Sequence, residues 1–340
     1  MKARGLTLVE MAIVLAIIGA ALLVILPLSS DMRDADKRLT VRTTLTAIDA
    51  ALVTFVELNH RLPCPADGTI VSGLPNAGVE TLSAGPPPAA AAPLDTCGPA
   101  SQLHGVVPWV TLGIPESAVT DPWNALITYR VYPPLAFKAA AAGVNPIAPV
   151  TATQNGIMDM SACDPAGTWT TLPTPVPITG ACGGFSAAQG CTQCAAAVGN
   201  SCSTVPAGSL ANCVAPGLYL ANKGLPVTDG SGNWLNNPAS ATGAGNGAAY
   251  VLISAGPSGT GAYNLTGTLQ PGSIVAGTNE VFNENGRALM TGSSVAQSYR
   301  DAPLNDVHTG ANAIFHFDDY LSHPTILTVL QNANLAPRSH

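Results

Sequence analysis

A run of 23 residues near the N-terminus, from Leu6 to Leu28, most constrains how this chain can fold. It contains one charged side chain, Glu10, and one proline, Pro27. A helix rises about 1.5 Å per residue, so this run is about 34 Å long and can cross the hydrocarbon core of a membrane. Lys2 and Arg4 precede it, and basic residues favour the cytoplasmic side. We therefore expect 6–28 to be a transmembrane helix, with the N-terminus in the cytoplasm and the rest of the chain outside.

Interpretations of this segment differ in the role they give to Glu10. A secretory signal peptide would end in a small-residue cleavage site, and residues 26–31 offer none. An uncleaved signal anchor on a periplasmic enzyme or binding protein explains the length and orientation but gives the carboxylate no task. A carboxylate in a membrane helix costs about 2.5–3.5 kcal/mol even on a lenient scale, so a partner or a function is expected. The simple alternative is that Glu10 reaches the membrane interface from the helix end.

A further interpretation comes from the sequence GLTLVE at residues 5–10. It resembles the cleavage site of type IV prepilins and type II secretion pseudopilins, which a membrane peptidase cuts after the glycine and methylates at the new N-terminus. The resemblance implies processing between Gly5 and Leu6, which makes the first five residues a leader peptide and Glu10 the fifth residue of the mature chain. Pro27 then matches a helix-kinking proline that is common in the family. Leu6 departs from the phenylalanine or methionine that is usual after the cut.

The same resemblance gives Glu10 a role in assembly. It implies that Glu10 pairs with the Leu6 ammonium of a neighbouring subunit, because a buried ammonium and a buried carboxylate are each costly alone and tolerable together. The implied partners are other pilin or pseudopilin subunits, the prepilin peptidase and methyltransferase, the inner-membrane assembly platform and the membrane itself. The implied location is the inner membrane, with a single span and a periplasmic head, and a pilus or periplasmic filament after assembly.

Residues 29–60 are predicted to continue the helix beyond the membrane. A charged stretch from Asp31 to Arg42 is too polar to be inserted. Apolar residues then recur at spacings of three and four, which is typical of one face of an amphipathic helix; they are Val41, Leu45, Ile48, Leu52, Phe55 and Leu58. The predicted end is Asn59-His60, with Pro63 beyond it. A continuous helix from Leu6 to His60 would be about 80 Å long.

All eight cysteines lie in residues 61–340, the predicted globular head. An even number in loop-rich sequence beyond an apolar segment predicts disulfides in an oxidising compartment, and reduced buried thiols are the alternative. The pairing cannot be deduced from the sequence. Six of them define a Cys-rich loop insertion at about 150–216, in which Cys191 and Cys194 have redox-motif spacing without the surrounding βαβ pattern. The candidates are Cys64, Cys97, Cys163, Cys182, Cys191, Cys194, Cys202 and Cys213.

The rest of the head is predicted to contain short strands joined by glycine- and proline-rich loops. Apolar and β-branched content predicts strands at 104–112, 124–132, 218–220, 250–254 and 314–317. The turn at 121–124 resembles a turn of pseudopilin heads, with Asn124 in place of glycine, since asparagine can adopt the left-handed conformation. The predicted fold is α+β and pilin-like, a long N-terminal helix packed on an antiparallel β-sheet head.

Charge and motifs exclude several functional classes. The net charge is −7 and there is no basic stripe, so nucleic acid is not expected as the main ligand. The sequence carries none of the common metalloprotease, phosphate-loop or dinucleotide motifs, and we expect no enzymatic activity and no cofactor.

Asp318 and Asp319 are calcium candidates by resemblance to the late loops of some pseudopilins, and a polar turn is the alternative. The resemblance implies the function of a structural subunit, and the length of the chain favours a low-copy one, a minor pilin or pseudopilin.

Overall fold

The computed structural model describes residues 8–84, 94–97, 104–132, 136, 138–139, 158, 220, 223–238, 247–270, 279–284, 298–305 and 316–336. The chain divides into two compact units, Met1–Thr43 and Thr44–His340. Gly5, Leu6 and the insertion at about 150–216, apart from Met158, lie outside the described residues.

An α-helix of 52 residues, α1 (Leu8–Asn59), opens the described chain. It ends where the sequence predicts: His60 takes a left-handed φ of 53°, and its N–H closes the last turn on the carbonyl of Val56. The N-terminal helix and the antiparallel sheets described below make the fold α+β, as expected.

The buried face of α1 follows the predicted stripe from Val41 to Phe55. Val41, Leu45, Ile48 and Leu52 are buried, and Phe55 is half-buried. The prediction for Leu58 is wrong, because its side chain is 76% exposed. At about 100° per residue, Leu58 lies about 120° around the helix from Leu52, and Val56 continues the buried face instead.

The described strands are β1 (Ala66–Asp67), β2 (Leu82–Ala84), β3 (Leu94–Cys97), β4 (Gly105–Val106), β5 (Thr128–Val131), β6 (Lys138–Ala139), β7 (Val227–Asp229), β8 (Trp234–Asn236), β9 (Tyr250–Ser254), β10 (Tyr299–Asp301) and β11 (Tyr320–Ser322). Within the described part of the head, two short helices accompany them, α2 (Trp109–Leu112) and α3 (Ile326–Asn332). Single turns of 3-10 helix form at Glu116–Ala118 and Asn279–Phe282.

The main sheet is antiparallel and has the order β1-β4-β5-β9-β11. Every residue of β9 is buried, which is typical of a strand covered on both faces. A second sheet has the order β10-β7-β8, and its β10–β7 pair is parallel, so the head is not antiparallel throughout. A third, β2-β3-β6, is antiparallel.

Three strand predictions need correction, and one is confirmed without change. The strand at 250–254 is β9. The stretch 104–112 forms β4 and then α2, because Pro108 supplies no N–H for a ladder and Gly113, at φ 70°, ends the helix. The stretch 124–132 is a strand only over β5. Near the end, Phe317 forms a single bridge with Asn305, and the strand itself begins at Tyr320; residues 314–315 and 218–219 lie outside the described part.

Asp49 connects the later part of α1, from Thr44 to Asn59, to the main sheet through two hydrogen bonds. Its Oδ1 accepts a hydrogen bond from the Tyr250 hydroxyl of β9 at 2.9 Å, and its Oδ2 accepts one from the Ser322 hydroxyl of β11 at 2.6 Å. Leu45, Ile48 and Leu52, which precede and follow Asp49 on the helix, are buried. The part of α1 from Thr44 onward is therefore an integral part of the head.

The structure pairs Cys64, just after α1, with Cys97 at the end of β3. The bond closes a loop with a sequence separation of 33 residues. The prediction of structural disulfides is confirmed for this pair. The other six cysteines lie outside the described residues.

Replacing both members, as C64S/C97S, should lower the free energy of unfolding by about 3–4 kcal/mol, because a loop of this length loses much conformational entropy in the unfolded chain when it is crosslinked. Chemical denaturation of the full chain in detergent measures the change. The double variant is preferred to a single one, which would leave a thiol able to exchange with the other cysteines. An unfolding midpoint equal to that of the wild type would contradict a structural role for this bond.

Candidate functional site

The first part of α1 has apolar side chains exposed on all its sides. Every residue from 11 to 18 is exposed, and all eight are apolar. Leu15 and Ile17 are each 64% exposed, although they differ by about 200° in direction around the helix. Glu10 and Pro27 lie in α1, which continues through the proline. Exposed apolar surface of this kind marks a region that contacts lipid or protein.

By length and composition alone, α1 could cross a membrane, and among the described residues the segment that meets this test is Ala35–Asn59. One face of that segment, with Leu45, Ile48 and Leu52, is buried, so part of its apolar character belongs to the packed core of the head. The all-round exposure of residues 11–18 is the stronger signal for a span, since a helix that is apolar on every side has no face suited to water.

The predicted turn at 121–124 is present in the head. Asn124 takes the left-handed conformation at φ 66°, and Asp121 Oδ1 accepts hydrogen bonds from the N–H groups of Trp123 and Ala125. The ring of Trp123 stacks on Tyr320 with 6.3 Å between the centroids. The Ser254 hydroxyl donates to Asp121 Oδ2 at 2.9 Å. This turn therefore contacts both β9, through Ser254, and the edge strand β11, through Tyr320.

A glycine-containing loop after β9 brings Ser258 to Asp318. Gly256 adopts φ 56°, and a Cβ there would lie 2.2 Å from the Asp318 carbonyl oxygen, so only glycine allows the two chain segments to approach so closely. The N–H of Ser258 donates to Asp318 Oδ2 at 2.8 Å, and its hydroxyl donates to Oδ1 at 3.0 Å. These bonds fix the orientation of the Asp318 carboxylate.

Glu280, His316 and Asp318 bring their side chains together beside this loop. His316 Nε2 lies 3.2 Å from Glu280 Oε1 and 3.7 Å from Asp318 Oδ2. The Asp318 N–H also donates to Glu280 Oε1 at 2.9 Å. All three residues are buried, and one donor atom from each lies within 4.8 Å of the others, an arrangement able to hold a metal ion. We refer to these residues as the Glu280–His316–Asp318 cluster.

Asp319, the second calcium candidate, lies outside this donor set. Its Oδ2 accepts a hydrogen bond from Asn283 Nδ2 at 2.9 Å, and burial raises the pKa of its carboxyl well above the ordinary value. Adjacent residues of an extended chain point to opposite sides, which separates Asp319 from Asp318. Asp318 meets Glu280 and His316, two residues that the sequence reasoning did not select.

Burial and neighbouring carboxylates oppose the ionisation of Glu280. Burial is the largest cause, and together with the hydrogen bond and negative charge of Asp318 and the charge of Asp319 it raises the pKa of Glu280 to about 9. The carboxylate of Asp121 is also near enough to be repelled by the charge of Asp318. Burial raises the pKa of Asp121, and the charge of Asp318 adds to this effect. A concentration of buried carboxyl groups is stable only when protons, hydrogen bonds or cations balance it.

The sequence gives a signal for two of the three residues of the cluster. His316 and Asp318 stand two residues apart, the spacing that places side chains on one side of an extended chain. Glu280, 38 residues from Asp318, gives no such signal. Comparison of the chain with protein-family models, curated proteins and solved structures finds no match.

Proposed function

We propose that this chain is a structural subunit of a type IV pilus or type II secretion filament, a minor pilin or pseudopilin, processed between Gly5 and Leu6. The observation that carries the proposal is the contrast within α1. Residues 11–18 are apolar and exposed on all sides, whereas Leu45, Ile48 and Leu52 of the same helix are buried. A helix with these two parts suits a protein that is first held in a membrane and then bundled with copies or relatives.

The energetics favour a covered state for the first part of α1. Burying a large aliphatic side chain contributes about 1.5–3 kcal/mol, and Val14, Leu15, Ile17 and Ile18 are among those exposed. A bilayer covers this surface before assembly, and neighbouring helices cover it afterwards. The span in this proposal is 6–28, with a cytoplasmic N-terminus and the head outside the inner membrane.

Glu10 gives the proposal its specificity. Processing would leave an ammonium on Leu6 close to the membrane surface, and bundling would withdraw both that ammonium and Glu10 from water. Pairing between neighbouring subunits balances the two charges, and it fixes the axial position of each subunit. The GLTLVE sequence at residues 5–10 places the carboxylate at the family's position for this pairing.

Mass spectrometry of the mature chain tests processing directly. In a host with a prepilin peptidase, the protein should lose Met1–Gly5 and carry N-methylated Leu6. A G5V variant should keep its leader, because the branched side chain blocks the position before the scissile bond. The same chain expressed without the peptidase is the second control.

An intact Met1 in the presence of an active peptidase would contradict the proposal. The chain would then be a membrane-anchored protein with an uncleaved signal anchor, and an enzymatic or binding role of the head would become the leading interpretation.

A further inference from the structure

We propose that the Glu280–His316–Asp318 cluster is a structural binding site for a divalent transition-metal ion of the zinc type. The site joins the 3-10 turn at Asn279–Phe282 to the chain that leads into β11. It does not depend on the filament function, because all of its residues lie within the head.

The distances between donor atoms suit a small ion. Zinc binds imidazole nitrogen and carboxylate oxygen at about 2.0–2.2 Å, which in a tetrahedron separates neighbouring ligand atoms by about 3.4 Å. The distances of His316 Nε2 from Glu280 Oε1 and Asp318 Oδ2, 3.2 and 3.7 Å, lie on either side of that value. The three side chains thus supply three ligands, and a water molecule or a second carboxylate oxygen completes the set.

The donor types select against calcium. Calcium takes six to eight oxygen ligands and does not favour imidazole, whereas a mixed nitrogen and oxygen set suits zinc, cobalt or manganese. The carboxylate of Asp319 is not among the donor groups of the cluster, and its Oδ2 accepts a hydrogen bond from Asn283. The proposal therefore differs from the calcium expectation at Asp318 and Asp319 both in the ion and in the set of residues.

The surroundings of the cluster already orient its ligands. Ser258 donates two hydrogen bonds to the Asp318 carboxylate, and the Asp318 N–H holds Glu280 Oε1. Ligating carboxylates in metal proteins are commonly fixed by such outer hydrogen bonds. A dipositive ion would also balance the negative charge that Glu280 and Asp318 carry when both are ionised, and Asp121 and Asp319 lie close enough to interact with Asp318.

Metal loading of the full chain in detergent tests the site. Free thiols are first alkylated and metal is removed with EDTA, then ZnCl₂, CoCl₂ or CaCl₂ is added. We expect about one zinc or cobalt ion per chain by elemental analysis, a visible cobalt spectrum of tetrahedral type, and a rise of about 5 °C in Tm at saturating zinc. Calcium should produce neither binding nor a rise in Tm.

Matched variants locate the ion. H316Q should weaken zinc binding by at least about tenfold, whereas H323Q should leave it unchanged. His323 is a fair control because its Nε2 also lies near a carboxylate, 3.1 Å from Asp301 Oδ2, but it is outside the cluster. D319N should also bind zinc as the wild type does, since Asp319 is not a ligand in this proposal.

X-ray absorption of the zinc-loaded wild type provides a test that needs no variant. We expect a first shell of nitrogen and oxygen with one imidazole and no sulfur. A sulfur shell would assign the metal to cysteines and overturn the proposal. Failure of the wild type to retain zinc or cobalt, undiminished binding by H316Q, or stabilisation by calcium alone would overturn it equally.

Discussion

Replacing Glu10 with valine should leave processing and membrane insertion intact and reduce incorporation into filaments to background. The substitution removes a carboxylate that costs about 2.5–3.5 kcal/mol in a membrane helix, so insertion becomes easier. In a bundle, the unpaired Leu6 ammonium of the neighbouring subunit would remain buried, and leaving one member of such a pair alone costs about 3–5 kcal/mol. Sheared filament fractions probed by immunoblot measure incorporation, and mass spectrometry of the membrane fraction measures processing.

The I13V variant is the matched control for Glu10→Val. Ile13 lies in the same exposed apolar stretch, at 54% exposure, and valine retains an apolar β-branched side chain. It should enter filaments as the wild type does. Incorporation of E10V at the wild-type level would show that Glu10 has no partner in the assembly, and a position at the membrane interface would then explain it.

Replacing Glu80 with alanine should lower the free energy of unfolding by about 3–5 kcal/mol. Glu80 and Arg61 form two parallel hydrogen bonds of 2.7 and 2.8 Å, with side-chain exposures of only 10% and 7%. Glu80 Oε2 also accepts the Cys64 N–H at 3.0 Å, and the guanidinium lies 5.1 Å from the centre of the Phe55 ring. The pair therefore stabilises the chain where it leaves α1. In E80A the buried guanidinium of Arg61 would lose its carboxylate partner.

Denaturant unfolding of the full chain in detergent measures this loss. E57A removes a glutamate from the exposed side of α1 and should change the free energy of unfolding by less than about 0.5 kcal/mol. The double variant R61L/E80L should be less destabilised than E80A, because no buried charge is left without its partner. Equal stability of E80A and E57A would show that the ion pair does not hold this junction.

Features set by neighbours in the sequence were predictable. The 3.6-residue periodicity identified the buried face at Leu45, Ile48 and Leu52, and Asn59-His60 before Pro63 predicted the helix end. The turn at 121–124 was predictable because asparagine tolerates a left-handed backbone. Leu58 was wrongly assigned because the six-residue step from Leu52 leaves the buried face, even though each shorter step looked regular.

Features that join distant residues were not predictable. The pairing of Cys64 with Cys97 was one of many arrangements open to eight cysteines. The order β1-β4-β5-β9-β11 brings together strands that are far apart in the chain. Glu280 meets His316 and Asp318 only because these segments pack beside the same loop.

The long helix, with its apolar first part and amphipathic second part, follows from sequence patterns alone, since helix periodicity and hydropathy act over a few residues at a time. The pairing of the strands, the ion pair of Arg61 with Glu80, and the burial of carboxylates beside His316 depend on the packing of the whole head. Such contacts depend on how separate segments pack together, and the energy that selects them comes from burial shared among many residues. A local sequence pattern therefore does not predict these contacts.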